Sequence, residues 1–236
     1  MHSLPSSRIA ILAAALLGVL LLPAPPAEAA CTDSPKPGVD WSRCDKSKKR
    51  LSGAELSGGR FVDTDFSGSS LSGAELKNAV LLRTNLLRAS LNDADLSGAD
   101  LSNALGSRAK LVGANLTGAN LTKVEFARAN LSDANLTQAD LSKADLARAR
   151  LTGSDLSDAL LVYANVARTH LQNAKLAGTD FHGAYTLLTR FEGSDLSAAL
   201  NLTQQQLDIA CGDDKTALPA DLQRPTTWPC AGDDTQ

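Results

Sequence analysis

Five arginines recur at intervals of 20 residues through the middle of this 236-residue chain: Arg88, Arg108, Arg128, Arg148 and Arg168. Only nine arginines lie between residues 51 and 200, so chance does not account for the spacing. A guanidinium group binds phosphate or carboxylate through two parallel hydrogen bonds. A fold that placed these five side chains in one row would therefore form a linear site for an extended anion.

Three further cations, Lys110, Arg150 and Arg190, follow the same 20-residue phase two residues later, and we expect them to flank the arginine row. Together the eight cations form a candidate anion-binding edge. The alternative is a solvated edge, which contributes solubility and forms ion pairs with Glu125 and Asp145. The net charge of −3 does not decide between the two, because the acidic residues recur at other phases of the period.

No other group of residues forms a recognisable reactive site. His170 and His182 fall at different phases, so they are expected on different faces. The serines lack a G-x-S-x-G elbow. The many Asp and Asn residues suggest calcium, but the calcium β-roll pattern G-G-x-G-x-D is missing, so we expect turn hydrogen bonds instead. We therefore predict no catalytic residue, no metal and no cofactor.

The element that must position these cations is an unbroken five-residue repeat from Leu51 to Leu200. If Leu51 is the first of 30 slots spaced by five residues, Leu or Phe fills 27 of them. The residue two places before a slot is small, most often Ala. The slots without Leu or Phe are Gly106, Val166 and Thr186.

A period of five fits neither a helix nor a strand. It fits a chain that turns a corner after every five residues, with the slot residue and the small residue pointing inward. The repeat resembles the pentapeptide repeat family, whose consensus is A(D/N)LXX, in stretches such as Ala94–Gly98, Ala114–Gly118 and Ala139–Lys143.

This resemblance implies an all-β fold, a right-handed quadrilateral β-helix with four pentapeptides, or 20 residues, per coil. The arginine spacing supports that coil length independently. Residues 51–200 would make about 7.5 coils, a rod about 36 Å long at a strand spacing of ~4.8 Å. The three exceptional slots share one face, where the Phe126 ring is expected to fill the space left by Gly106. Gly106 would also permit a local bulge.

Residues 1–29 are typical of a secretory signal peptide. Arg8 precedes an apolar stretch from Ile9 to Leu22, and Ala27–Ala29 forms an A-x-A cleavage site. The stretch is too short for an ordinary membrane span, and no later apolar stretch exists. We therefore predict export, with cleavage near Ala29. The alternative is a lipoprotein modified at Cys31, but Glu28, three residues before it, fits a lipoprotein signal badly.

Four cysteines lie outside the repeat: Cys31 and Cys44 before it, and Cys211 and Cys230 after it. An even number in an exported chain indicates disulfides. The length of the rod excludes pairing between its ends, so Cys31–Cys44 and Cys211–Cys230 are the expected bonds. The same separation excludes one zinc site with four cysteines. Redox chemistry is a further alternative, although no C-x-x-C motif is present.

Residues 30–50 and 201–236 are expected to cover the two ends of the rod. The first segment is predicted to be an irregular loop that caps the N-terminal end. In the second, Thr203 and Gln206 form a capping-box pattern, which predicts a helix over residues 204–211 with Gly212 just beyond it. The tail that follows is expected to pack back as an extended cover. The basic end of the first loop is expected to be solvated and comprises Lys46, Lys48, Lys49 and Arg50.

These features favour an exported, non-enzymatic interaction scaffold in the periplasm or outside the cell, because the repeat offers flat, ordered faces. An envelope protein or an anionic glycan is the expected class of partner. The resemblance implies one alternative, a DNA mimic that inhibits a topoisomerase, against which the signal peptide and the arginines argue. A hydrolase using surface carboxylates is disfavoured, because Leu fills the tube. Nucleic acid is not expected as a ligand, since the sequence shows no aromatic stacking platform.

Overall fold

The chain winds into stacked coils in which one pattern of turn and bridge repeats every five residues. The computed structural model describes residues 30–230. Within them, strand pairing is limited to single-residue parallel bridges, and from Asp40 to Leu200 each bridge joins residues 20 apart. Each of these coils therefore takes 20 residues and has four faces.

Each face carries a ladder of bridged residues, one place before the slots. The chain visits the faces in the order 1, 2, 3 and 4 and turns a corner after each. The ladders advance by 20 residues, from Arg50 to Arg190 on face 1, from Glu55 to Asp195 on face 2, from Asp40 to Leu200 on face 3 and from Asp45 to Tyr185 on face 4.

Leu and Phe side chains fill the tube, as the sequence predicts. Slot residues such as Leu131 and Phe181 have no exposed surface, and the alanines two places before the slots are almost all buried. Each large side chain contributes roughly 1.5–3 kcal/mol by burial, before the entropy of ordering is subtracted. Where Thr replaces one of these alanines, its hydroxyl is paired; that of Thr169 donates to the Leu146 carbonyl at 2.7 Å. The buried hydroxyls therefore cost little.

Gly106 and Phe126 form a complementary pair inside face 4. A Cβ atom on Gly106 would clash with the Phe126 ring, so the ring occupies the space of the missing side chain, as predicted. The bulge that Gly106 would permit does not form, because Leu105 keeps its bridges to both Asn85 and Glu125.

The coil begins earlier than the sequence predicts. Residues 39–50 already follow the coil pattern, with Trp41 and Lys46 in two slots, so the predicted loop over residues 30–50 is correct only for its first part. Neither residue matches the Leu or Phe of the repeat, which is why the pattern was missed. Lys46 is buried, which corrects the solvated position predicted for it, whereas Lys48 and Lys49 are exposed.

Lys46 enters the core because its ammonium group finds partners there. The Nζ atom donates to the Cys31 carbonyl at 2.7 Å and lies 3.6 Å from the centre of the Trp41 ring. Burial lowers the pKa of this ammonium group. The contacts hold residues 30–38 against the first coil, and the Cys31–Cys44 disulfide does the same.

The second disulfide, Cys211–Cys230, ties the tail to the other end of the rod. Both disulfides are those that the sequence predicts, and the described residues contain no free cysteine. Each is worth about 2–4 kcal/mol in a typical protein. The tail also packs through Trp228, whose Nε1 donates to the Ala210 carbonyl at 2.8 Å and whose ring lies against Gly212.

One helix, α1 (Gln204–Asp208), interrupts the last coil. Thr203 is its N-cap and forms the predicted capping box with Gln206. The helix ends before the predicted residue 211, because Cys211 has returned to the coil and bridges Arg190. Gly212 therefore lies within the coil instead of ending the helix.

The helix is held to the end of the tube by buried hydrogen bonds. The side-chain amide of Gln206 donates to the carbonyls of Phe181 (2.8 Å) and Ala184 (2.9 Å). The Thr186 hydroxyl, in one of the exceptional slots, donates to the Gln206 carbonyl at 2.7 Å. Thr186 is thus polar because its partner is a helix backbone and not another Leu.

The predicted signal peptide and the last six residues of the tail lie outside the described residues. Within residues 30–230, no helix is long and apolar enough to cross a membrane.

The pairing of Gly106 with Phe126 predicts strong coupling between these two positions. Gly106→Leu alone should destabilise the protein by about 1–3 kcal/mol, because the new side chain overpacks against the ring. Phe126→Leu alone should also destabilise it, by leaving a cavity. The double variant restores the common Leu at both slots and should be more stable than Gly106→Leu. Thermal unfolding of wild type, the two single variants and the double variant, all with their disulfides intact, measures this coupling. Strictly additive losses would contradict it.

Candidate functional site

The five arginines of the predicted row lie in one column, at the corner between faces 4 and 1, which we call the arginine corner. Each occupies a turn position two places after a slot, where φ is 56–60°. Each backbone N–H donates to a carbonyl of the next coil, as from Arg128 to Ala147 at 2.9 Å. All five side chains are exposed. Because the coils are bridged in register, successive arginines are about 4.8 Å apart along the rod.

The arginine corner has no acidic partner within residues 30–230. None of its five arginines forms an ion pair there. Asp145 instead accepts hydrogen bonds from the Ala147 amide (3.1 Å) and the Asn165 side chain (3.0 Å). The pairing with Glu125 and Asp145 that the alternative includes is therefore not formed. The guanidinium groups remain available to an anion from outside.

The three flanking cations differ in their availability. Lys110 and Arg150 are exposed at the middle of face 1, beside the arginine corner. The Nε of Arg190 donates to Glu192 Oε1 at 2.9 Å, and the two side chains are only 22% and 18% exposed. This half-buried pair commits Arg190 to its own turn. Lys110 and Arg150 are therefore exposed and form no ion pair within residues 30–230, whereas Arg190 is engaged by Glu192.

A second row of cations borders face 4 on its other side. This lysine corner, between faces 3 and 4, carries Arg43, Arg83, Lys123 and Lys143. Arg83 donates two hydrogen bonds to Asp63, at 2.7 and 2.8 Å, and they lower the pKa of the Asp63 carboxyl. Lys123 and Lys143 form no ion pair with any described residue. Face 4 thus has cations along both edges.

Lysine and arginine are concentrated at the positive-φ turn positions that border face 4. Residues with positive φ at the two corners of face 4 include ten Lys or Arg and two Gly. Those at the other two corners include ten Gly and no Lys or Arg. A residue with a Cβ atom costs roughly 1–2 kcal/mol in this conformation, which glycine adopts freely. The cations therefore occupy positions where glycine would avoid a conformational cost, as do the Asp, Asn and Gln residues with positive φ at other turns.

The Asp and Asn side chains at the middle of the faces hold the turns, as predicted. Their oxygens accept a hydrogen bond from the amide two residues later, as in Asp95 to Ser97 (2.9 Å). They also join neighbouring coils, as where Asn115 donates to Asp95 at 3.0 Å. Residues 30–230 contain no group of three or more His, Cys, Asp or Glu that could hold a metal ion.

An exposed aromatic surface, which the sequence did not lead us to expect, lies at the C-terminal end of face 4. Tyr163, on the lysine corner, is 57% exposed, and Tyr185, at the middle of face 4, is 52% exposed. The hydroxyl of Tyr163 lies 3.2 Å from Nε2 of His182, whereas His170 lies on face 1, so the two histidines are apart as predicted. These two exposed tyrosines are aromatic surface that the sequence did not lead us to expect. The 20-residue period contains a signal for it, because residue 183, which stacks on Tyr163, is only two residues before Tyr185.

The chain matches the model of one known protein family. The family model described as pentapeptide repeats matches it in eight copies, over residues 50–81, 69–105, 107–138, 129–162 and 154–185. These matches cover more than half of the sequence, so the chain belongs to the pentapeptide repeat family. No curated protein matches the chain.

Solved structures of other proteins are similar to this chain to different degrees. A trypsin-treated variant of QnrB1, a plasmid-mediated fluoroquinolone resistance protein, has a TM-score of 0.68 and 22% identity, over 76% of this chain and 91% of its own. HetL, a pentapeptide repeat protein involved in heterocyst differentiation regulation in the cyanobacterium Nostoc, has 25% identity and a TM-score of 0.32, over 82% of this chain and 87% of its own. The likeness to QnrB1 shows the fold, a right-handed quadrilateral β-helix.

The positive φ of the corner arginines predicts that replacing one of them by glycine does not destabilise the protein. Arg128→Gly should leave the free energy of unfolding unchanged or raise it by up to about 1 kcal/mol, because relief of the positive φ offsets the added freedom of the unfolded chain. Ala127→Gly, in the same turn but outside the positive-φ region, should lower it by roughly 0.5–1 kcal/mol. Chemical unfolding of both variants measures the difference. An equal loss in the two would show that Arg128 meets no conformational penalty.

Proposed function

We propose that this protein is an exported, non-enzymatic binding scaffold whose arginine corner binds an extended anion of the cell envelope, either an anionic glycan or an acidic protein segment. The observation that carries the proposal is the presence of ten cations at the positive-φ corners bordering face 4. Glycine would serve the fold better at these positions. A function that needs positive charge in a row explains why Lys and Arg stand there.

The geometry of the arginine corner suits a ligand that runs along the rod. Five guanidinium groups without acidic partners follow each other about 4.8 Å apart. Arg can engage a carboxylate or phosphate with two parallel hydrogen bonds, which Lys cannot do. Because the backbone of these corners is tied to the next coil, the spacing of the Cα atoms is fixed before a ligand arrives, and binding has to order only the arginine side chains.

The filled interior supports a scaffold and not an enzyme. The slot side chains that line the tube, such as Leu101 and Leu121, are fully buried and leave no cleft between them. We also propose that the coils, which begin near residue 39 and include the predicted array of about 7.5 coils from Leu51, are capped at both ends. Residues 30–38 would close one end, and α1 with the disulfide-bonded tail would close the other.

Two disulfides support a compartment outside the cytosol, where such bonds form and persist. Periplasmic or extracellular export through the predicted signal peptide accounts for them. This compartment also argues against the alternative of a DNA mimic, because that role needs a cytosolic target. The unpaired cations along both edges of face 4 argue against it independently, since they would repel the positively charged groove that DNA occupies.

Export predicts the state of the mature protein. Its N-terminus should lie near Ala30, and it should contain no titratable thiol, because all four cysteines are bonded in pairs. Edman sequencing and thiol titration of protein recovered from the envelope or the medium measure both. Retention of Met1, or two or more free thiols, would contradict export and the proposed compartment.

Anion binding predicts a loss of affinity when the arginine corner is neutralised. Arg108→Gln/Arg128→Gln/Arg148→Gln should weaken binding of a phosphate-bearing envelope glycolipid at least 10-fold at low salt, with folding unchanged. Wild-type binding should itself weaken as salt is raised, because the contacts are exposed. Titration of mature protein at two ionic strengths measures both effects.

A variant with the same change in net charge on other faces serves as the control for this titration. Arg60→Gln/Lys77→Gln/Lys175→Gln removes three exposed cations away from face 4 and should bind like wild type. Equal losses in the two variants would mean that only net charge matters. If no protein binds the glycolipid, the arginine corner is a solvated edge.

A further inference from the structure

The aromatic residues of this protein are divided sharply between the core and one patch. All five Phe and both Trp are buried, whereas both Tyr are more than half exposed. Of the seven exposed large hydrophobic residues in the described part of the chain, five lie between residues 160 and 200. They are Leu160, Tyr163, Tyr185, Leu188 and Leu200. The surface therefore changes character in the last coils.

Tyr163 is held in one orientation although its ring is exposed. Its φ is 56°, which is rare for a bulky side chain. The ring lies over Gly183, where a Cβ atom would be 2.5 Å from two ring carbons. The His182 ring packs edge-on against it at 5.2 Å and shares the hydrogen bond with its hydroxyl, while the His182 amide donates to Asp180 at 2.8 Å. Gly183 and His182 thus build a fixed aromatic platform.

This platform lies at the end of the basic surface. Tyr185 is bridged to Asn165 and occupies the middle of face 4, between the two corners. The arginine corner ends at Arg168, and Leu188 takes the next position in its column. A ligand lying along face 4 would therefore meet cations over most of its length and aromatic rings at one end.

We infer that this end of face 4 binds a sugar ring of an acidic polysaccharide, with Tyr163 and Tyr185 in contact with the sugar and the cations along the two edges of face 4 paired with the carboxylates that follow. The inference rests on the proposed function and names its ligand class. An amphipathic Tyr ring can contact the C–H face of a pyranose while its hydroxyl stays wet. The His182 ring can donate a hydrogen bond to a sugar hydroxyl or accept one from it, and the Asp180 carboxylate can accept one.

Spacing favours a polyuronate over other polyanions. A pyranose ring with its glycosidic oxygen is about as long as one coil is high, ~4.8 Å. A uronate chain along the rod would therefore advance by about one residue per coil, so that the carboxylates facing the rod recur at multiples of the arginine spacing. A single strand of nucleic acid would instead require an aromatic ring for each successive base, whereas the platform stands only at one end of the cationic row.

Binding of matched oligomers to the mature, disulfide-bonded protein tests the inference. The probes are an oligogalacturonate, a polyphosphate and an oligothymidylate of equal charge, and a neutral dextran oligomer. Wild type should bind oligogalacturonate and polyphosphate and should not bind dextran. Tyr163→Ala/Tyr185→Ala should weaken oligogalacturonate binding roughly 10-fold and leave polyphosphate binding within about two-fold, because only the sugar uses the rings.

Two control variants separate stacking from loss of apolar surface. Tyr163→Phe/Tyr185→Phe keeps the rings and should retain most of the oligogalacturonate affinity. Leu160→Ala/Leu200→Ala removes exposed apolar surface at the same end of the rod, but on face 3, and should have no effect.

The outcomes that overturn the inference are distinct from those that overturn the proposed function. If the Tyr→Ala pair binds oligogalacturonate like wild type, or loses both anions equally, the platform does not bind sugar, while arginine-dependent polyphosphate binding leaves the proposed function intact. If oligothymidylate binds more tightly than oligogalacturonate and depends on the tyrosines, the ligand is nucleic acid. If neither polyphosphate nor oligogalacturonate binds, the proposed function fails as well.

Discussion

A left-handed turn residue at every corner is the constraint on which this structure depends. Its backbone N–H donates to a carbonyl of the neighbouring coil, as from Arg148 to Ala167 at 2.9 Å, so the corner cannot shift without breaking the stack. With the corners fixed, the coils repeat every 20 residues and each slot side chain stacks on its equivalent. The residue that makes the turn also projects farthest from the rod. The residue that must adopt a positive φ is therefore also the residue whose side chain is exposed.

Because the coils stack in register, each core residue packs mainly against residues of the neighbouring coils. A missing side chain at Gly106 is compensated one coil later by the ring of Phe126. The Thr169 hydroxyl finds a carbonyl in the preceding coil. At the N-terminal end, Lys46 can occupy a slot because the Trp41 ring and the Cys31 carbonyl receive its ammonium group. Each exception is satisfied by its immediate neighbours, so the array tolerates it without losing register.

The regular period made most of the fold predictable from the sequence. It did not predict where the coils begin or where α1 ends. The 20-residue coil, the Gly106–Phe126 pair, the disulfides and the capping box of α1 all follow from spacing or from local motifs. Trp41 and Lys46 were missed because their burial depends on contacts with each other and not on a pattern. The end of α1 was misplaced because the bridge of Cys211 to Arg190 is a tertiary contact, which outweighs the local signal of Gly212. The arginine row was visible as spacing, but the loss of Arg190 to Glu192 was not.

The charge that this rod presents to a ligand depends more on the positions of the charged side chains than on the net charge of −3. Mid-face carboxylates are drawn against the backbone, since the oxygens of residues such as Asp95 and Asp140 accept the amide two residues later. Corner cations such as Arg128 and Lys143 have no ion-pair partner in the described residues and extend into solvent. An approaching ligand therefore meets positive charge first along the edges of face 4. A chain with more acidic than basic residues can in this way present a cationic edge, because turn formation holds the acidic side chains close to the rod.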